Sequence, residues 1–321
     1  MCLSEIDPCG LTPFSLSGGV FVSTLTPFDE DGGILCDPIT DQARRISNIE
    51  GVLGIAVNTT VRERLTLSLK ERIDVVRCTA KGLRAGHVLL ACVGVLDDDI
   101  LEEVHACRSA GAKAAIVFPR TVGTDANSNA RIADLAALLD QLALPVILAI
   151  GAGSNRWAGQ REEITALAAT SQQILGFDMG ADDNVLRYDQ DYYALKSLDR
   201  PLACLPSSEG ALFHNLNTGG DGVLSDLAYV APHEITALYR ATRDGDFFSA
   251  QAIHNRLAPL VSLLQGRDAE IRELIYREAA HMRGLLASPV ARGLPAPLSK
   301  NTQTDLQAAI ESIAPKPIKW I

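Results

Sequence analysis

The sequence predicts a closed α/β barrel of the (β/α)8 TIM type, extended at its C-terminal end by helices. Three observations carry this expectation. Eight short apolar runs alternate with helix-forming stretches through most of the chain, the count of a barrel. The first strand-to-helix turn lacks the GxGxxG signature of a doubly wound nucleotide-binding sheet. Beyond Pro232 only helical periodicity remains. A length of 321 residues suits one such barrel with an appendage, and 47% hydrophobic against 21% charged residues supplies a sizeable core.

Taken in order, residues 1–17 form an N-terminal arm with no clear period, residues 18–232 the barrel, and residues 233–321 a C-terminal helical extension packed on it. The strands fall at 19–26, 54–58, 87–93, 114–118, 145–150, 174–180, 201–205 and 221–225. Each is a near-continuous apolar run bounded by turn residues, the pattern of strands buried on both faces. The first helix is expected from about Asp37, with Pro38 at its first position. The helix over 68–84 opens with Ser68 and Glu71, a capping-box spacing. Further helices fall at 97–110, 129–142 and 162–171, then at 234–243, 246–265, 269–286 and near 305–312. Asp182, Asp183 and Asn184 read as a cap for the helix before the seventh strand.

A net charge of −10 and a pI near 5.1 argue against a nucleic-acid or anionic-membrane partner. No apolar run reaches the roughly 18–20 residues of a membrane span, and the N-terminus lacks a basic segment followed by an apolar one. A cytoplasmic protein is expected. The seven cysteines are scattered without a CxxC pair, and the six histidines form no pair at ligand spacing, so neither a metal nor another cofactor is expected. Cys78, Cys92 and Cys107 read as small core residues in a reducing compartment, and Cys204, on a strand near the expected site, as core packing.

The run at 174–180 ends in a carboxylate, Asp178, at the strand end where barrels keep their chemistry. Around it three collinear stretches carry a family resemblance. They are TLTPFDEDG at 24–32, GVLGIAVNTT at 51–60 continuing to LSLKER at 67–72, and GVLSDLAYVAP at 222–232 with the helical residues that follow. Together they make the chain similar, over residues 18–300, to the dihydrodipicolinate synthase / N-acetylneuraminate lyase family of pyruvate-handling barrels.

The resemblance implies a lysine near the end of the sixth strand that forms an imine with a 2-oxo acid. It also implies tyrosine and threonine hydroxyls that relay protons, and a Thr-Thr pair that holds the substrate carboxylate. Residue by residue, the Thr-Thr pair survives as Thr59 and Thr60, preceded by Asn58 in place of glycine. Arg62 stands where a glutamate is usual, with Glu63 beside it. The aromatic pair after the fourth strand gives way to Arg120 and Thr121, and the tyrosine of the fifth strand to Ala149. Arg156 matches the arginine that grips the distal end of the substrate, and the lysine aligns with Asp178.

Asp178 therefore has two readings. In one it is a general base or orienting carboxylate, with Arg62 and Arg120 holding an acidic ligand. In the other, Asp178 and Arg120 are a buried ion pair filling vacated space. Ser207 and Ser208, after the seventh strand, are expected to contact the ligand; Glu209, Ser225 and Asp226 face the mouth by position. Thr24 and Thr26 close the first strand. Two functions follow. One is a carbon–carbon or carbon–oxygen lyase acting on a small oxo- or hydroxy-acid without the imine. The other is a non-catalytic, small-acid-binding or regulatory relative, a pseudoenzyme. The resemblance further implies a homo-oligomer, a dimer or tetramer.

Overall fold

A computed structural model describes residues 10–95, 100–118, 128–150, 161–180, 183–293 and 297–313. Strands and helices alternate from the first: β1 (Val20–Ser23), α1 (Cys36–Ser47), β2 (Val52–Val57), α2 (Val61–Thr66), α3 (Leu69–Gly82), β3 (Val88–Val95) and α4 (Ile100–Ala110). There follow β4 (Ala114–Phe118), α5 (Ser128–Leu139), β5 (Val146–Ala149), α6 (Arg161–Thr170), β6 (Ile174–Met179) and α7 (Val185–Lys196). The barrel part ends with β7 (Ala203–Pro206), α8 (Leu212–Thr218), β8 (Val223–Ser225) and α9 (Leu227–Val230). The C-terminal helices are α10 (Pro232–Arg243), α11 (Phe247–Leu264), α12 (Ala269–Met282) and α13 (Lys300–Ile313).

All strand pairs are parallel, in the order β7-β6-β5-β4-β3-β2-β1-β8. Between β7 and β8 closure runs through Asp221. Its amide donates to the Cys204 carbonyl at 2.9 Å, and its Oδ2 accepts the Cys204 amide at 2.7 Å. Side chains alternate across each strand, so two apolar layers form. Phe21, Ala56, Leu90, Cys92, Ile116, Ile147, Ala149, Leu205 and Leu224 fill the barrel interior. Val22, Ile55, Leu89, Val117, Leu148, Phe177 and Cys204 face the helices. Burial of such side chains contributes about 1.5–3 kcal/mol each. Leu16, fully buried in the inner layer, closes the opposite end of the barrel from within the expected arm.

The expected elements recur with shifts of a few residues at their ends. The helix after Asp37 begins instead at Cys36, which puts Pro38 in its third position. The capping box at Ser68 and Glu71 is present, and Asn184 caps α7 by accepting the Arg187 amide at 3.1 Å. The short helices α2, α8 and α9 are additions, since four to seven residues cannot display a helical period. The last helix starts at Lys300, ahead of its expected place.

The structure corrects the expectation for Cys78. Its sulfur is bonded to that of Cys36 in a disulfide joining α1 to α3, because the two helices pack side by side with these Cα atoms 5.5 Å apart. Cys92, Cys107 and Cys204 are free and buried.

One buried cation ties the C-terminal helices to the barrel. Arg277 of α12 is fully buried and donates through Nη1 to the carbonyls of Thr26 and Val290, both at 3.0 Å. Its other nitrogens meet Glu273 and Glu63, and Glu63 in turn accepts the Thr26 hydroxyl at 2.6 Å. Thr26 is therefore spent on this network.

Candidate functional site

The C-terminal strand ends open into a cavity of about 520 Å³. Strand parity decides what enters it. On β6, Phe177 and Met179 join the helix-facing layer, which sends Gly176 and Asp178 inward. A side chain on Gly176 is excluded, because its Cβ would lie 2.6 Å from the Ala203 carbonyl oxygen on β7. Asp178, one pleat further on and paired with Ala149 and Leu205 of the flanking strands, reaches the cavity floor.

Asp178 is only 8% exposed. Burial raises its pKa to about 7, and the neighbouring carboxylates of Asp226 and Glu209 add to that. The Ser207 hydroxyl donates to its Oδ1 and pulls the other way. The result is a carboxyl that exchanges its proton near neutral pH. Among the described residues, no cation makes an ion pair with it.

On the opposite side of the mouth, Asn58 takes a left-handed conformation, φ 59°, where the chain turns out of β2. Asparagine tolerates this region better than most residues, and its side-chain amide is held by the Arg72 carbonyl at 3.2 Å. That turn brings Thr59 to the cavity, against the hydroxyl of Ser23 at the end of β1.

The remaining wall is acidic and partly neutralised. Glu209 accepts Arg272 of α12 at 2.9 Å and the Tyr276 hydroxyl at 2.5 Å, so both its oxygens are occupied. Ser208 donates to Asp183 at 2.6 Å, and Gln265, just after α11, reaches the other Asp183 oxygen at 3.3 Å. Asp226, which follows β8, also lines the cavity; burial first, and then Glu209, raises its pKa. Arg267, exposed at the mouth, makes no ion pair among the described residues.

Of the residues expected from the sequence, Asp178, Thr59, Ser207 and Ser208 are brought together around one cavity. Thr60 is half-buried at the start of α2 and is not part of the lining. The structure corrects Arg62: its guanidinium turns to the Gly293 carbonyl and to Glu270, 3.5 Å away, because α2 carries it toward the C-terminal helices. Arg120 and Arg156 lie outside the described residues, as does Thr121. Among the described residues no lysine lines the cavity, and no cluster of His, Cys, Asp and Glu could hold a metal.

Sequence reasoning left Ser23 out of the site; Glu209 and Asp226, which it set at the mouth by position, line the cavity, whereas Ser225 does not. Alternation puts Ser23 on the same face of β1 as Phe21, but Val20, Phe21 and Val22 make both faces apolar, so only the folded barrel shows that this face is the inner one. Arg267 and Arg272 gave no signal, since nothing local says that the start of α12 folds over the barrel mouth.

Comparison with known proteins gives a consistent result. The Dihydrodipicolinate synthetase family profile matches residues 16–313. A 4-hydroxy-tetrahydrodipicolinate synthase of Methanosphaerula palustris is 24% identical over 242 residues, covering 75% of this chain and 80% of that one. That of Hyphomonas neptunium is 30% identical over 204 residues, covering 63% and 68%. In fold, the dihydrodipicolinate synthase from Agrobacterium tumefaciens superimposes with a TM-score of 0.81 at 22% identity, over 94% of this chain and 99% of that one. With its parallel eight-stranded barrel, its C-terminal helices and a profile match along nearly its whole length, the chain belongs to the dihydrodipicolinate synthetase family.

Proposed function

We propose that the protein is a lyase acting on a small oxo- or hydroxy-acid by proton transfer through Asp178, without a protein imine. The observation that carries this reading is the place of Asp178, a buried carboxyl held by Ser207 in a cavity that no lysine lines among the described residues, where burial raises its pKa to about 7. A general acid–base group works best when its pKa lies near the working pH. Desolvation also makes this carboxylate a stronger base than one in water. Arg267 at the mouth supports capture of a ligand carboxylate, with Thr59, Ser207 and Ser208 as hydroxyl contacts. Arg120 and Arg156 are further candidates for the same charge, and Thr60 for a hydroxyl or backbone donor.

Two measurements test it. Incubation with pyruvate followed by borohydride should leave the protein mass unchanged; a stable adduct would mean that an imine forms after all. In D2O at neutral pH the protein should exchange the methyl protons of pyruvate, followed by proton NMR. Asp178→Asn should slow that exchange at least about 100-fold, the usual scale of an acid–base contribution.

The absence of lysine from the described lining also favours a second reading, a non-catalytic relative that binds a small acid. Thermal stabilisation by acids, with no exchange in any of them, would select it. A cytoplasmic homo-oligomer, dimer or tetramer, completes the proposal. No helix among the described residues is long and apolar enough to cross a membrane, and cytoplasmic reductants would open the Cys36–Cys78 bond.

A further inference from the structure

We propose that Cys36 and Cys78 form a reversible thiol–disulfide couple, in which Cys36 reacts with a hydroperoxide and Cys78 resolves it, locking α1 to α3. The inference is independent of the chemistry at Asp178 and goes beyond the lyase reading.

The two sulfurs are bonded, yet their surroundings differ. Cys36 is exposed and opens α1, whereas Cys78 is only 2% exposed. An oxidant in solution therefore meets Cys36 first. The first turn of a helix also favours a thiolate over a thiol, because its amides are free and the dipole is positive there. In α1 the residue before the helix is Leu35, whose side chain cannot accept those amides. An accessible thiolate beside a resolving thiol is the arrangement that takes up oxidation reversibly. The other described cysteines lack it. Cys92, Cys107 and Cys204 are buried, and desolvation pushes their thiols up to about 11, 12 and 12. Cys2 and Cys9 lie outside the described residues.

Closing the bond requires no rearrangement, because contacts that do not involve sulfur already hold α1 against α3. The Thr40 hydroxyl donates to the Cys78 carbonyl at 2.9 Å. At Gly82 a Cβ would lie 1.9 Å from the Thr40 carbonyl oxygen, so glycine lets the two backbones touch. The dithiol form therefore keeps the two Cα atoms near their separation of 5.5 Å, within disulfide reach.

The helix α3 connects the pair to the cavity. It carries Arg72 as well as Cys78. The Arg72 carbonyl accepts the Asn58 side-chain amide at 3.2 Å, and its guanidinium bonds Glu103 of α4 at 2.8 and 3.0 Å. Asn58 makes the left-handed turn that brings Thr59 to the cavity. That turn lies inside the segment the bond closes, so oxidation restrains it.

The oxidation balances. The Cys36 thiolate attacks one peroxide oxygen, the O–O bond breaks, and the other oxygen leaves as water or an alcohol. Cys36 is then a sulfenic acid. The Cys78 thiolate attacks its sulfur, the S–O bond breaks, and hydroxide leaves as water with the proton that Cys78 has shed. Two thiols have lost two electrons and two protons, and the peroxide has taken both. A dithiol reductant reverses the change. Its thiolate attacks the Cys36 sulfur and Cys78 leaves; its second thiol then frees Cys36 as the reductant becomes a disulfide. Asp37, exposed beside Cys36, disfavours an anionic oxidant such as glutathione disulfide, whereas a neutral hydroperoxide meets no such repulsion.

The couple is tested by treating the reduced protein with hydrogen peroxide and dimedone, which traps sulfenic acids, and mapping its peptides by mass spectrometry. The wild type should close Cys36 to Cys78 without a dimedone adduct at either, and dithiothreitol should reopen the bond without denaturant. Cys78→Ala should carry dimedone on Cys36. In Cys36→Ser, oxidation of Cys78 should be at least about tenfold slower. The wild type also gives a reading that needs no variant to fold. In its dithiol form iodoacetamide should alkylate Cys36 at least about tenfold faster than Cys78. Equal alkylation, oxidation that begins at Cys78, or a bond that opens only after urea unfolds the chain overturns the couple. Amides of residues 52–60 should exchange hydrogen at least about tenfold more slowly in the disulfide form than in the dithiol form. Equal exchange overturns the link to the cavity. None of these readings involves turnover, so a failed lyase assay leaves them in force.

Discussion

At the scale of single residues, Asp178 stands apart because its two readings predict opposite stability effects. Its pKa in the folded chain, about 7, exceeds the ordinary value of 3.8. Between those values the folded state holds a proton that the unfolded state has released. Its contribution therefore falls as the pH rises from about 4 to 7 and stays reduced above. Asp178→Asn should be nearly neutral for stability at pH 4 and stabilising above pH 7 by up to about 4 kcal/mol, read from urea unfolding at the two pH values. A large loss at pH 8 would instead reveal a buried ion pair, with Arg120 the candidate partner. A variant both more stable and slower in proton exchange is what a site residue under desolvation strain should yield.

At the scale of elements, the disulfide between α1 and α3 has consequences for the site. It closes a sequence separation of 42 residues that includes β2 and the turn carrying Asn58 and Thr59. Loop-closure entropy for that length predicts that Cys36→Ser costs about 4 kcal/mol in oxidising buffer. Adding reductant should bring the wild type down to the variant. Equal stabilities under both conditions, with free-thiol counts to match, would mean that the bond does not form in solution. The helix α3 is independently secured at its start, where Ser68 and Glu71 cap each other and Arg292 binds Glu71. Chiefly that arginine lowers the Glu71 pKa to about 2, so this contribution is present above the ordinary carboxylate range and fades as the pH falls toward 2.

At the scale of the whole molecule, Arg277 joins what the chain separates. It bonds Glu63, 214 positions earlier, and the Thr26 carbonyl, 251 positions earlier. Removing it would leave Glu63 and Glu273 as buried carboxylates without their cation, and Arg277→Met should cost about 3–5 kcal/mol. The same α12 brings Arg272 and Tyr276 onto Glu209, so the cavity wall is expected to loosen with it. Denaturant midpoints for Arg277→Met, compared with Glu63→Gln/Arg277→Met, check this. The double variant should recover part of the loss.

Much of the architecture was legible in the sequence. An apolar run between turn residues marks a buried strand without reference to anything distant, and the run at 114–118 coincides with β4. The same local rule set Asp178 at the end of β6, and alternation along that strand made it face inward. The bond between Cys36 and Cys78, the diversion of Arg62 to Gly293, and the Glu209–Arg272–Tyr276 cluster left no such trace. Periodicity and capping act over a few residues and are written in local order. Pairing between distant polar groups depends on how helices settle on the barrel, and that comes from packing. The sequence by itself thus determined the barrel, the family and the carboxylate at the sixth strand. Only the tertiary structure decided the company that carboxylate keeps, because burial and neighbouring charge are properties of the assembled cavity.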